Sequence, residues 1–221
     1  MASMDSIKGF ILDMDGTLID SMPIWDVLGE RYLSSRGIEA EKGLGKLLYP
    51  MSLEESSHYL KTHYGLMESE ADIRAGFMDI VKHFYYDEVK EKEGALAFVS
   101  SCKERGDIVV ATTSPMDYAQ AALSRLGILP YISRILTCSE LQTSKKEPFI
   151  YERAAEFLGL SAGECLVAED MLHALLVAKS AGFMTLGVYD ASADKDQESL
   201  IKEADFYVRD LRNFWENNKS K

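Results

Sequence analysis

Long apolar runs are missing from this chain of 221 residues. No stretch approaches the roughly 20 residues that a membrane-spanning helix needs, which argues against a membrane protein of the helical kind. The opening MASMDSIKG has none of the hydrophobic centre of a secretion signal. Cysteine is scarce as well: Cys102, Cys138 and Cys165 are odd in number, widely separated and set in apolar segments. That usage fits reduced, packed thiols in a cytoplasmic protein better than a disulfide framework. Basic clusters are the third absence. Against 36 acidic residues stand 24 basic ones, a formal net charge of −12, and no lysine or arginine run could gather a phosphate backbone. Nucleic acid is therefore not an expected partner, and an anionic ligand would need local capture by a cation and a few placed donors against an unfavourable overall field. Internal repeats and low-complexity linkers are lacking too; only ENNKSK, 216–221, has the composition of a frayed end.

What the chain does have is 47% hydrophobic content, enough to bury a sizeable core. Short apolar runs recur, each followed by turn residues and a helical pattern: GFILD, DIVVATT, RILTC, CLVAED, MTLGVYD and DFYVRD. Strand then helix, repeated, predicts a parallel sheet with helices on both faces. MDYAQAALSRLGI, FIYERAAEFLGL and HALLVAKSAG carry apolar residues at helical spacing and stop at a glycine. One interval breaks the rhythm. From 18 to 92 the periodicity is helical with no convincing strand, which predicts two domains: a core of 1–17 with 93–221, and an inserted all-helical domain of 18–92.

Ligands of such sheets collect at the carboxyl ends of the strands, so the residues just beyond each run matter most. After GFIL come Asp13 and Asp15, then Gly16 and Thr17. Two carboxylates at positions i and i+2 of a tight turn can share a focus, and they repel unless a cation or a shared proton compensates. After DIVVA stand Thr112, Thr113 and Ser114 ahead of Pro115, where proline suits the first helical position, Ser114 the cap, and free backbone N–H groups an anion seat. Lys145 or Lys146 could bring a positive charge to the same place. CLVA ends on Glu169 and Asp170, oxygen ligands of the kind magnesium takes.

Taken in order, these pieces resemble the haloacid dehalogenase superfamily of phosphotransferases, in the branch with a helical cap inserted after the first motif. That branch contains the phosphoglycolate phosphatases and beta-phosphoglucomutases. DMDGT is similar to the first motif, Thr112 in VVATTSP to the second, Lys145 in KKEPFIY to the lysine motif, and AEDMLHALLVAKSAG to the fourth. Pro148, three residues after Lys145, favours Lys145 over Lys146 as the match. The resemblance implies a Rossmann-like core with a helical cap and a phosphatase acting on a small phosphorylated metabolite such as a sugar phosphate. In it Asp13 would be the nucleophile that forms an aspartyl phosphate, and Asp15 the general acid and base. Mg2+ would be held by Asp13, the backbone carbonyl of Asp15 and Asp170, with Glu169 ligating directly or through water; Thr112, with Thr113 and Ser114, would hold phosphoryl oxygens, and Lys145 would offset the negative charge.

Substrate reading would fall to the cap, with Trp25, Tyr49 and the run from His83 to Tyr86 as candidates. The mutases of the branch carry a histidine where Trp25 aligns and an arginine near Leu53, and this chain has neither, which favours hydrolysis over phosphoryl return. Met171 stands where many relatives have serine and Phe149 where they have aspartate. Those departures leave a catalytically degenerate binding protein as the non-enzymatic alternative. Asp15 argues against a dehalogenase, and the long insertion against a response-regulator receiver. His58 and His63, five apart, do not share a helix face as a zinc pair would. His173 sits near the fourth motif without an assigned role.

Overall fold

The computed structural model describes residues 4–212 and 214–217. Eight strands lie along them: β1 (Gly9–Leu12), β2 (Ile19–Asp20), β3 (Lys90–Glu91), β4 (Asp107–Thr112), β5 (Arg134–Thr137), β6 (Cys165–Glu169), β7 (Met184–Val188) and β8 (Phe206–Val208). Six form one parallel sheet in the order β5-β4-β1-β6-β7-β8. These are the six apolar runs, and their continuous apolar character has a simple cause: β1, β6 and β7 are buried at every position. A strand covered on both faces has no polar side to alternate with. The chain fills the sheet outward from β1, first to β4 and β5, then back across β1 to β6, β7 and β8. The order therefore reverses at β1, the place where doubly wound sheets open a crevice at their carboxyl edge.

Helices close both faces of this Rossmann-like layer. Around the sheet run α5 (Ala95–Lys103), α6 (Met116–Arg125), α7 (Phe149–Leu158), α8 (Leu172–Ser180), α9 (Gln197–Glu203) and the short α10 (Phe214–Asn217), numbered after the four helices of the second unit. On one face Ile11, Val109, Ala111 and Val167 pack against Ile150, Tyr151 and Ala154 of α7 and Ala178 of α8. On the other, Phe10 meets Trp215 edge-on at 5.8 Å, and Phe214 meets Phe98 of α5 at 5.4 Å. The α7 helix stops where the sequence predicts, at Gly159, whose φ of 68° lets it cap the last turn in the left-handed conformation.

The chain divides into two compact units. One comprises the residues up to Asp20 and from Val89 onward; the other is Ser21–Glu88. The second holds α1 (Pro23–Ser34), α2 (Leu44–Leu48), α3 (Leu53–Tyr64) and α4 (Glu70–His83), with a π-helical turn at Phe84–Glu88. Capping boxes start α3 and α4: Ser52 pairs reciprocally with Glu55, and Ser69 with Asp72.

The interval 18–92 is not free of strand. Ile19 pairs with Glu91 and Asp20 with Lys90, so β2 and β3 form a small antiparallel ribbon in the first unit. Two-residue strands are too short to leave an alternating pattern, which is why periodicity misses them. Of the 216–221 segment, Glu216 and Asn217 end α10 and the remainder lies outside the described residues. Among the described residues no helix is long and apolar enough to cross a membrane. All three cysteines are free and buried.

Candidate active site

The end of β1 is tied into the sheet by one further bond, from the Asp13 N–H to the Ala168 carbonyl at 3.0 Å. The chain then folds back on itself: the N–H groups of Leu18 and Ile19 both donate to the Met14 carbonyl, at 2.8 and 2.9 Å, and that of Gly16 to the Ile19 carbonyl at 2.9 Å. Gly16 is required here twice over. Its φ is +77°, and a Cβ at that position would lie 2.4 Å from Asp170 Oδ2. Tight reversal and missing side chain together let the fourth-motif aspartate approach the backbone of the first loop.

Around this loop the neighbouring strands β4 and β6 deliver their own ends. Asp13, Glu169 and Asp170 are all buried, and each offers a carboxylate oxygen within 4.8 Å of the others. Lys145 enters from the loop between β5 and α7. Its ammonium donates to Asp13 Oδ1 and, at 2.8 Å, to Glu169 Oε1, while Lys146 is exposed. Thr17 donates to Asp13 Oδ2 at 3.1 Å. Tyr151, near the start of α7, donates its hydroxyl hydrogen to Glu169 Oε1 at 2.8 Å.

Asp15 is held separately and only half buried. Its Oδ2 accepts from Ser114 Oγ at 2.7 Å and from Thr112 Oγ1 at 3.3 Å. Ser114 is thus not the helix cap that its sequence position suggests. Pro115 occupies that position without a side-chain bond, and the Ser114 N–H donates to Thr112 Oγ1 at 3.0 Å. A hydroxyl beside a carboxylate gains a charge-assisted bond, stronger than the neutral one a cap offers. The backbone N–H of Ser114 is spent on Thr112, so the anion seat foreseen there lacks one of its donors. Thr113 is exposed and takes part in none of these contacts.

Electrostatics are dominated by the surplus of buried negative charge. Burial pushes the Asp13 carboxyl up to about 7; Glu169 and Asp15 push the same way and Lys145 opposes them. Asp170 is raised well above the ordinary carboxylate range, first by burial and then by Asp13 and Glu169. Burial works to lower Lys145, but Asp13 and Glu169 overcome it and hold the ammonium above its usual value. One lysine cannot balance three buried carboxylates. In addition Asp170 Oδ1 is buried with no hydrogen-bond partner. An orphaned carboxylate oxygen inside an all-oxygen donor set is what a hard divalent cation fits, so Asp13, Glu169 and Asp170 could hold magnesium.

Two contributors went unassigned in the sequence. Thr17 lies inside the DMDGT string, and a hydroxyl four residues after an aspartate was a usable signal. Tyr151 gave none, because it shares the apolar face of α7 with Ile150, Ala154 and Ala155. Met171 and Phe149 are both exposed, at 37% and 42%, and none of the site bonds described above passes through them. His173 is exposed in the first turn of α8. In the helical unit, Trp25 and Tyr49 line a common pocket. His83 faces Asp87 and Glu88 at 3.5 and 3.4 Å, and Phe84 and Tyr85 are buried.

Residues 7–182 match the family model described as haloacid dehalogenase-like hydrolase. The chain is similar to hexitol phosphatase A of Escherichia coli, with 28% identity over 92% of this chain and 91% of that protein. It is similar to phosphoglycolate phosphatase of Neisseria gonorrhoeae, with 28% identity over 85% of this chain and 82% of that protein. Among solved structures, a Thermotoga maritima protein provisionally named a beta-phosphoglucomutase superimposes with a TM-score of 0.81 at 25% identity, covering 96% of this chain and 99% of that one.

Proposed function

Because the chain belongs to the haloacid dehalogenase-like hydrolases, we propose that it is a magnesium-dependent phosphatase of a small phosphorylated metabolite. The observation that carries this reading is the buried trio of Asp13, Glu169 and Asp170 around a single lysine, with an orphaned oxygen on Asp170. The similarity to two proteins named as phosphatases supports it.

In the proposed reaction an Asp13 carboxylate oxygen attacks phosphorus in line; the bond from phosphorus to the alcohol oxygen breaks, and Asp15 gives that oxygen its proton. Asp15, now a carboxylate, takes a proton from water as the water attacks the phosphorus of the Asp13 acyl phosphate, releasing inorganic phosphate and restoring Asp13. The Ser114 and Thr112 hydroxyls both donate to Asp15 Oδ2 and so hold its carboxyl in place. Thr113 takes a phosphoryl oxygen, while Thr112 and Ser114, whose hydroxyls are given to Asp15, hold that carboxyl beside it, and Lys145 offsets the phosphoryl charge. Magnesium, held by Asp13, Asp170, Glu169 and the backbone carbonyl of Asp15, would neutralise carboxylate and phosphate together when bound.

A mutase must grip a second phosphate. The positions aligned with that task, Trp25 and Leu53, line an apolar pocket with no cationic side chain, so hydrolysis is the better supported outcome. We assign the protein to the cytoplasm on its reduced, buried thiols. The test is phosphate release from a panel of phosphorylated sugars and p-nitrophenyl phosphate with and without magnesium. Release that needs the metal and vanishes in Asp13→Asn supports the reading, and undiminished release in that variant overturns it.

A further inference from the structure

The helical unit contains a pocket of about 300 Å3 lying wholly within it. Its wall is formed by Trp25 and Leu28 of α1, Leu48 and Tyr49 at the end of α2, Leu53 at the start of α3, and Phe77 of α4. Gly29 shapes it as well, since a Cβ there would stand 2.4 Å from Leu48 Cδ1. Leu28, Leu48 and Phe77 are buried, whereas Tyr49 is 52% exposed and forms the open side of the wall. No lining residue carries a charge, and Ser56 supplies the one aliphatic hydroxyl.

That lining is selective. A carboxylate, such as the name phosphoglycolate denotes, would need a cationic partner once out of water, and the row of hydroxyls on a hexitol would need a comparable row of donors and acceptors. The pocket offers neither. An apolar cavity of about 150 Å3 lined by aliphatic and aromatic side chains takes up benzene. Twice that space accommodates a ring with several attached heavy atoms.

We propose that this pocket binds an uncharged, apolar small molecule of aromatic-ring size. Trp25 is one of two tryptophans in the chain, and the other, Trp215, belongs to the sheet unit, so two indole N–H resonances report on two places. In a 15N-labelled sample, benzyl alcohol moves the Trp25 resonance, identified by its loss in Trp25→Phe, along a saturating curve and leaves that of Trp215 in place; sorbitol moves neither. Leu53→Trp, which fills the pocket from a half-buried position, abolishes the benzyl alcohol response.

Sorbitol shifting Trp25, or benzyl alcohol leaving it unmoved in a folded protein, overturns the pocket assignment.

Discussion

Gly16 and Asp170 meet at a distance that no side chain could share: a Cβ on Gly16 would sit 2.4 Å from Asp170 Oδ2 and 2.8 Å from its Cγ. The contact joins the loop after β1 to the loop after β6, and it fixes the aspartate whose other oxygen has no partner.

Gly16→Ala separates function from folding at this contact. The left-handed φ of +77° costs an alanine about 1–2 kcal/mol, which lowers the melting temperature by about 2–8 °C in a chain of this size. Displacing Asp170 by an ångström costs about a hundredfold in kcat/KM. Thermal melts and phosphate-release kinetics on the same preparation check both numbers, and unchanged kinetics would remove Asp170 from the site.

Tyr151→Phe keeps the ring and its packing while deleting the hydroxyl that shares Glu169 Oε1 with Lys145. Groups that orient a metal-ligating carboxylate are worth about 10–100-fold in metal affinity. Magnesium titration of the variant should therefore show weaker activation, with full activity recovered at saturating metal. A variant with unaltered magnesium dependence would leave Tyr151 a packing residue only.

Lys92 and Asp190 form a second, largely buried ion pair at 2.8 Å, in which Ser192 completes the partners of the carboxylate. Lys92→Met strands that carboxylate and should destabilise the fold by about 3 kcal/mol. Adding Asp190→Asn should recover a large part of the loss. Urea unfolding of the two single variants and the double variant measures the coupling, and simple additivity would contradict it.

The three thiols should be silent in the folded protein. Burial raises Cys102 and Cys138 and pushes Cys165 up to about 12, so thiolate is scarce at pH 8 and access is poor besides. Ellman's reagent should find no fast-reacting thiol in buffer and all three in guanidinium. Rapid native labelling would show that the core opens.

What the sequence makes legible follows the strength of each physical signal. Residues of β1, β6 and β7 are apolar at nearly every position because both faces are covered, so the sheet announces itself. Ile19, Asp20, Lys90 and Glu91 carry no such imprint, since two-residue strands owe their pairing to the elements that anchor them. Asp13, Lys145, Glu169 and Asp170 stand at strand ends or in the loop before a helix, where charge against an apolar background is conspicuous. Ser114 is harder: the same hydroxyl suits a helix cap or a carboxylate, and only the nearness of Asp15, 99 positions away, decides. Tyr151 is harder still, because its ring obeys the helical pattern and its oxygen does a different job. The apolar wall around Trp25 is invisible for the same reason, as aromatic residues at helical spacing look like core whether or not they enclose a space.

The ribbon of β2 and β3 carries a consequence for how such a chain can change. The departing strand and the returning strand are hydrogen-bonded neighbours, Ile19 beside Glu91 and Asp20 beside Lys90. Whatever is spliced between them begins and ends at one doorway, and the closure entropy of a longer or shorter insert grows only with the logarithm of its length. A different helical module can therefore be grafted onto the same threshold without disturbing the carboxylates rooted in the sheet.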